Sequence, residues 1–158
     1  MDILWTPWRY RYVAGERPPG GCVFCRMPGE RDEEAFIVHR ADRSYIVLNR
    51  FPYAAGHLLI APYAHVATLA ECPAETRSEM SELLARSETV LRNAYGCPGL
   101  NIGLNLGASA GAGVAEHLHW HVVPRWPGDA NFITTTGETR VIPEDLPGAF
   151  AKLRGKWS

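Results

Sequence analysis

The 158-residue chain reads as an α+β domain: an antiparallel sheet with one long helix and a short C-terminal helix. Three observations predict this class. Strand-length runs rich in Val, Ile, Leu and Tyr recur at 34–39, 44–49, 57–62 and 100–106. Helical spacing is sustained over only one long stretch, 73–95. Several strands with one dominant helix favour an antiparallel sheet over a doubly wound one, which needs a helix after each strand.

The elements follow in order. EAFIVH (34–39) and SYIVLN (44–49) form a strand pair around the turn RADR. FPYAAG is a loop, and HLLIAP (57–62) is a third strand. The helix over 73–95 has Pro73 for its first turn and Gly96 just past its end. Met80, Leu83, Leu84, Val90, Leu91 and Ala94 make its apolar stripe, and Ser87 interrupts it with a residue small enough for a close contact. LNIGLNL (100–106) is a fourth strand, and GASAGAG (107–113) links it to the next. EHLHWHVVPRW (116–126) is read as the strand that follows, ended by Pro124, and a short helix is expected beyond Pro143.

Half of the six histidines sit in that last strand, at 117, 119 and 121. Alternate positions share a face on a strand and do not on a helix, so three imidazoles are expected in a row roughly 6–7 Å apart. Imidazole titrates near neutrality, so such a row suits nucleophilic attack, proton transfer or metal binding. The glycine loop before it lacks the Lys-Ser/Thr of a P-loop. It either presents backbone N–H groups to a phosphate or is only a tight connection.

Composition narrows the function classes. The length fits a single domain over 1–158, with 1–30 as an N-terminal arm. A net charge of −1 gives no basis for nonspecific binding to a nucleic acid polymer. No apolar run reaches the ~20 residues of a membrane span, and the start MDILWTPWRYRY has no signal-peptide core, so the expected location is cytoplasmic. In a reducing compartment the four cysteines are not expected to form disulfides. Cys72 and Cys97 read as small thiols. Cys22 and Cys25, in GCVFC, are spaced as half of a tetrahedral zinc site or as a redox pair. In the arm, Trp5, Trp8, Tyr10 and Tyr12 either pack on the domain or, with Arg9 and Arg11, grip a ligand.

HLHWHVV resembles the signature of the histidine-triad (HIT) family, and LNRFPYAAGHLLIAPYAHVATL (48–69) resembles that family's other characteristic segment. LWTPWRYRYV (4–13) and AEHLHWHVVPRWPGDANF (115–132) are similar to the bacterial branch that includes diadenosine-tetraphosphate phosphorylases. The resemblance implies an α+β homodimer that binds nucleotides and cuts or transfers at the α-phosphate. It makes His119 the nucleophile, with His121 beside the phosphate oxygens. It places Asn49 at the ribose, His57 near the nucleotide, and Asn105 and the backbone of Gly113 at the phosphates. His65 resembles a zinc-ligating histidine of the distantly related galactose-1-phosphate uridylyltransferases. It implies a structural zinc on Cys22, Cys25, His65 and His117. His39 matches no family role and is read as a strand-end surface residue.

One departure bears on the substrate. Many family hydrolases carry Gln and then Ser or Thr where this chain has Gly113 and Val114. The hydroxyl that would protonate an amine leaving group is missing. A polyphosphate leaves readily as an anion, so dinucleoside polyphosphates are favoured. The competing expectation is a nucleotide sensor that keeps the fold with negligible turnover.

Overall fold

The computed structural model describes residues 21–129, 134, 136 and 142–157. The aromatic-basic stretch from Trp5 to Tyr12, and Asn131, lie outside the described residues. The chain runs through α1 (Val23–Arg26), a 3-10 turn (Met27–Gly29), α2 (Asp32–Ala35), β1 (Ile37–Arg40), β2 (Ser44–Leu48) and β3 (Leu58–Pro62). The long helix α3 (Ala74–Tyr95), β4 (Gly99–Gly103), a 3-10 turn (Ala108–Ala110), β5 (Trp120–Arg125) and α4 (Leu146–Leu153) follow. The five strands form one antiparallel sheet in the order β1-β2-β3-β5-β4.

Every residue of β2 and β3 is buried, because both sheet faces are covered. Alternation sorts their side chains between two cores. Ile46, Leu48, Leu58, Ile60 and Val122 face Met80, Leu83 and Leu91 of α3 and Phe150 and Leu153 of α4. Tyr45, Val47, Leu59 and Ala61 face Phe24, Met27 and Ala35 of the N-terminal segment. The described part of that segment is therefore one wall of the molecule. In register, His121 pairs with Leu59 on one side and Gly103 on the other. It shares the N-terminal segment's face, at the point where that cover ends.

The long helix follows the sequence closely. Gly96 closes it at φ 60°, and its N–H bonds to Arg92 O at 2.8 Å. Ser87 is buried within the stripe, and its hydroxyl donates to Leu83 O at 2.7 Å, so it spends its polarity on its own helix. Asp145 caps α4 by accepting Gly148 N–H at 2.8 Å. Cys72 and Cys97 are buried thiols. Among the described residues, no helix is long and apolar enough to cross a membrane.

Four expectations shift. The first strand begins at Ile37, because Asp32–Ala35 form a helical turn closed by Phe36 at φ 61°. The strand expected over 100–106 ends at Gly103. The histidine strand begins only at Trp120, so His117 and His119 precede it. Leu118 N–H bonds to Val66 O at 2.7 Å, outside the sheet ladder. Pro124 lies inside β5, opposite Leu100. Among the described residues β3 pairs with β5 only as far as Val122 and no other strand pairs with β5 on that side at Pro124, where a residue lacking an N–H is tolerated. His39 is half-buried on β1, stacked at 5.6 Å on the Trp157 ring.

Candidate active site

The three histidines of the row meet three different environments, and each environment sets a different tautomer. The His117 Nε2 lies 2.9 Å from Pro62 O, which can only accept, so the proton sits on Nε2 and the Nδ1 lone pair is free. The His119 Nδ1 lies 2.8 Å from His117 O, so its proton sits on Nδ1 and the Nε2 lone pair is free. For His121 the decision is relayed. Tyr53 N–H donates to His57 Nδ1 at 3.1 Å, which leaves the His57 proton on Nε2. That Nε2–H donates to His121 Nδ1 at 3.0 Å, so the His121 proton is on its own Nε2. The row thus offers one lone pair at Nδ1, one at Nε2 and one N–H donor.

Burial keeps these rings neutral. Burial and then the neighbouring histidines push His57 down to about 3. Burial and His119 push His121 down to about 4. Burial also lowers His119, against the pull of the His117 carbonyl, and lowers His117, against that of Pro62. Near neutral pH the row holds uncharged imidazoles that can act as nucleophile, donor or ligand.

The Nδ1 lone pair of His117 belongs to a four-residue cluster. Cys22 Sγ lies 3.4 Å from it, Cys25 Sγ 3.5 Å and His65 Nδ1 3.3 Å, and Cys25 Sγ is 3.2 Å from His65 Nδ1. The four donor atoms all lie within 4.8 Å of one another. A tetrahedral zinc with ordinary bond lengths has N–N edges of about 3.3 Å and S–N edges of about 3.5 Å. Four edges of the cluster, from 3.2 to 3.5 Å, are close to these dimensions; it offers two soft and two borderline donors, and the Pro62 carbonyl orients the His117 ring. Cys22, Cys25, His65 and His117 can hold a metal ion.

On the other side of the row, a cavity of about 340 Å³ opens between the Tyr53 loop and the strand pair β4–β5. Tyr53, Gly103, Leu104, Asn105, His121 and Arg125 line it. The His119 ring is 5.1 Å from that of His121. Tyr53 lies parallel to His121 at 6.0 Å, with 10° between the planes. Arg125 forks onto Asp129 and also donates to Asn101 Oδ1 at 2.7 Å.

The remaining expected residues fall around this centre. Asn105 reaches the cavity. Asn49 is half-buried at the end of β2. Its Oδ1 accepts Phe51 N–H at 2.9 Å, and its Nδ2 is 3.4 Å from His57 Nδ1. His57 is wholly buried, so its reach to a ligand runs through His121. Gly113 lies in the exposed loop that leads to the row. Sequence reasoning missed Phe24, Tyr53 and the Pro62 carbonyl. Phe24 had one signal, its place inside GCVFC. Nothing in the pattern said that its ring meets His119.

Comparison with known proteins identifies the family. The HIT domain pattern matches residues 30–128. The chain belongs to the HIT family. Over 166 aligned positions the whole chain is 41% identical to a Mycobacterium tuberculosis protein named AP-4-A phosphorylase, and it covers 85% of that protein. A Zn-bound histidine triad family protein from Mycobacterium smegmatis superposes with a TM-score of 0.71 at 30% identity, over 87% of this chain and 93% of that one. A hypothetical histidine triad nucleotide-binding protein from Sulfolobus tokodaii gives 0.69 at 27% identity, over 85% and 91%. This HIT chain shares the fold of these two structures.

Proposed function

We propose that this HIT protein is a nucleotidyl transferase that cleaves dinucleoside polyphosphates at the α-phosphate, as a diadenosine-tetraphosphate phosphorylase does. The observation that carries the reading is the His119 ring. It is 6% exposed and neutral, with Nδ1–H held by the His117 carbonyl, so the Nε2 lone pair is the nucleophile. The 41% identity to a protein named AP-4-A phosphorylase supports the substrate class.

In the first step Nε2 of His119 bonds to the α-phosphorus and the bond to the bridging oxygen breaks. The remaining nucleoside polyphosphate leaves as an anion. The Nε2–H of His121, fixed by His57, donates to the charge that develops on the phosphate oxygens. In the second step an oxygen of inorganic phosphate attacks the nucleotidyl-imidazole, and the P–N bond breaks. His119 is restored and a nucleoside diphosphate is released. Asn49 serves the ribose, and Asn105 and the Gly113 N–H serve the phosphate chain. His57 acts on the nucleotide through His121. With no hydroxyl at Gly113 or Val114, the chain favours a leaving group that needs no proton.

Cys22, Cys25, His65 and His117 would hold a structural zinc. A closed four-ligand site supplies cross-linking rather than Lewis acidity, tying the N-terminal segment to the row. A cytoplasmic homodimer over one domain completes the reading, and four unpaired thiols accord with a reducing compartment.

The second reading, a nucleotide sensor with negligible turnover, draws on the same missing hydroxyl. Product analysis separates the two. Diadenosine tetraphosphate is incubated with and without phosphate, and the nucleotides are resolved by anion exchange. ADP plus ATP appearing only with phosphate is the expected result. AMP plus ATP regardless of phosphate makes water the acceptor. Tight binding without products favours the sensor.

A further inference from the structure

We infer that Phe24 is a positioning residue for His119, and that the Cys22–Cys25 knuckle serves catalysis by holding the Phe24 ring against that imidazole. The inference rests on the reading of His119 as nucleophile. Phe24 is the third residue of the Cys22–Cys25 segment, inside α1. Its ring centroid lies 4.7 Å from that of His119, with 31° between the planes, and 5.3 Å from that of His117. It is 3% exposed, although α1 is only four residues long and its other residues are partly or well exposed. Such a short helix has little stability of its own, so its place is set by what it is tied to.

Phe24 is held on three sides. Cys22 lies 3.4 Å and Cys25 3.5 Å from His117 Nδ1, which fixes both ends of the segment next to the histidine row. The buried Tyr45 hydroxyl donates to Phe24 O at 2.8 Å and pins the backbone to β2. Ala35, Tyr45 and Val47 belong to the same buried cluster behind β2. A phenyl ring held this firmly is a fixed wall.

The nucleophile needs such a wall. The hydrogen bond from Nδ1 to the His117 carbonyl fixes one edge of the His119 ring. It leaves the ring free to rock about that edge and swing Nε2 off line. Phe24 against one side and the His121 ring at 5.1 Å remove that freedom. His117 contributes to both parts, with its imidazole in the cysteine cluster and its carbonyl on the nucleophile. Displacement of about 1 Å at a reacting atom costs on the order of 10²-fold in rate.

The test compares Phe24→Leu and Phe24→Ala with Met27→Ala, a buried residue of the same segment and core. Turnover of diadenosine tetraphosphate with phosphate, KM and bound zinc are measured for each, beside His119→Ala. Phe24→Ala should lower kcat by ~10- to 100-fold with little change in KM. It should keep the wild-type zinc content, and Phe24→Leu should recover part of the rate. Met27→Ala should stay within about twofold of wild-type kcat. Trapped nucleotidyl-protein should form more slowly in Phe24→Ala by the same factor as kcat falls. The inference is overturned if Phe24→Ala turns over like wild type, if Met27→Ala falls equally, or if the loss tracks zinc content. Those results leave the nucleophile assignment standing as long as His119→Ala is inactive. Full activity of His119→Ala instead removes the reading on which the inference rests.

Discussion

Replacing His57 tests the relay that sets the His121 tautomer. The ring is fully buried and makes two short hydrogen bonds, accepting from Tyr53 N–H at 3.1 Å and donating to His121 Nδ1 at 3.0 Å, beside a longer contact of Nδ1 with Asn49 Nδ2 at 3.4 Å. Leucine fills nearly the same space, so His57→Leu leaves little cavity but strands both partners. A buried group left without its partner costs about 1–3 kcal/mol, and two such losses give about 2–6 kcal/mol. Tyr53 N–H and His121 are only partly buried, which places the sum in the lower half of that range. The leucine side chain returns about 1 kcal/mol through its greater apolar burial. The expected net loss is about 2 kcal/mol, read as a lower urea midpoint at unchanged slope. Glutamine can accept from Tyr53 and donate to His121, so His57→Gln should recover about half of it. The kcat of His57→Leu should fall ~10- to 100-fold, because the His121 donor is no longer oriented. A leucine variant as stable and active as wild type would refute the relay. A glutamine variant no better than leucine would show that only volume matters there.

Three further outcomes follow. Stability should be full above pH about 6.5 and fall as the pH drops towards 4, because the unfolded chain protonates its histidines near 6.5 while folded His121 and His57 resist until about 4 and about 3. Each such proton contributes a slope of about 1.4 kcal/mol per pH unit, and His57→Gln should remove one of them in an acid titration followed by circular dichroism. Gly56→Ala should destabilise by about 2–4 kcal/mol in thermal or urea unfolding, because a Cβ at φ +72° would sit 2.7 Å from Tyr95 Cε2. The Tyr95 hydroxyl is anchored 2.6 Å from Glu144, whereas Gly111→Ala, at φ +87° in open space, should cost only about 1–2 kcal/mol. Protein purified without a histidine tag should hold about one zinc per chain by elemental analysis, and chelation should lower its stability, by ~4 kcal/mol if zinc had stood a thousandfold above its Kd. His65→Ala should bind less metal and expose two titratable thiols. A metal-free, equally stable wild-type chain would rule the zinc out.

Much of this protein was written in local pattern. The spacing in 73–95, with Pro73 and Gly96 as its ends, defined the long helix, because helix periodicity and termini are short-range properties. The apolar runs located β2 and β3, and the motifs HLHWHVV and 48–69 pointed to the family and its principal residues. The alternation of His117, His119 and His121 suggested one continuous strand. Tertiary contact decided otherwise, because the Leu118 bond to Val66 draws the first two histidines off the ladder. No spacing rule could say that Cys22, Cys25, His65 and His117 converge within 4.8 Å, since 95 residues separate the first from the last. Nor could it assign the tautomers, which depend on carbonyls and a backbone N–H from residues 53, 62 and 117. Residue type and period are local and survive in the chain itself. Which nitrogen keeps its proton, and which ring meets Phe24, are set by distances that exist only once the sheet has closed.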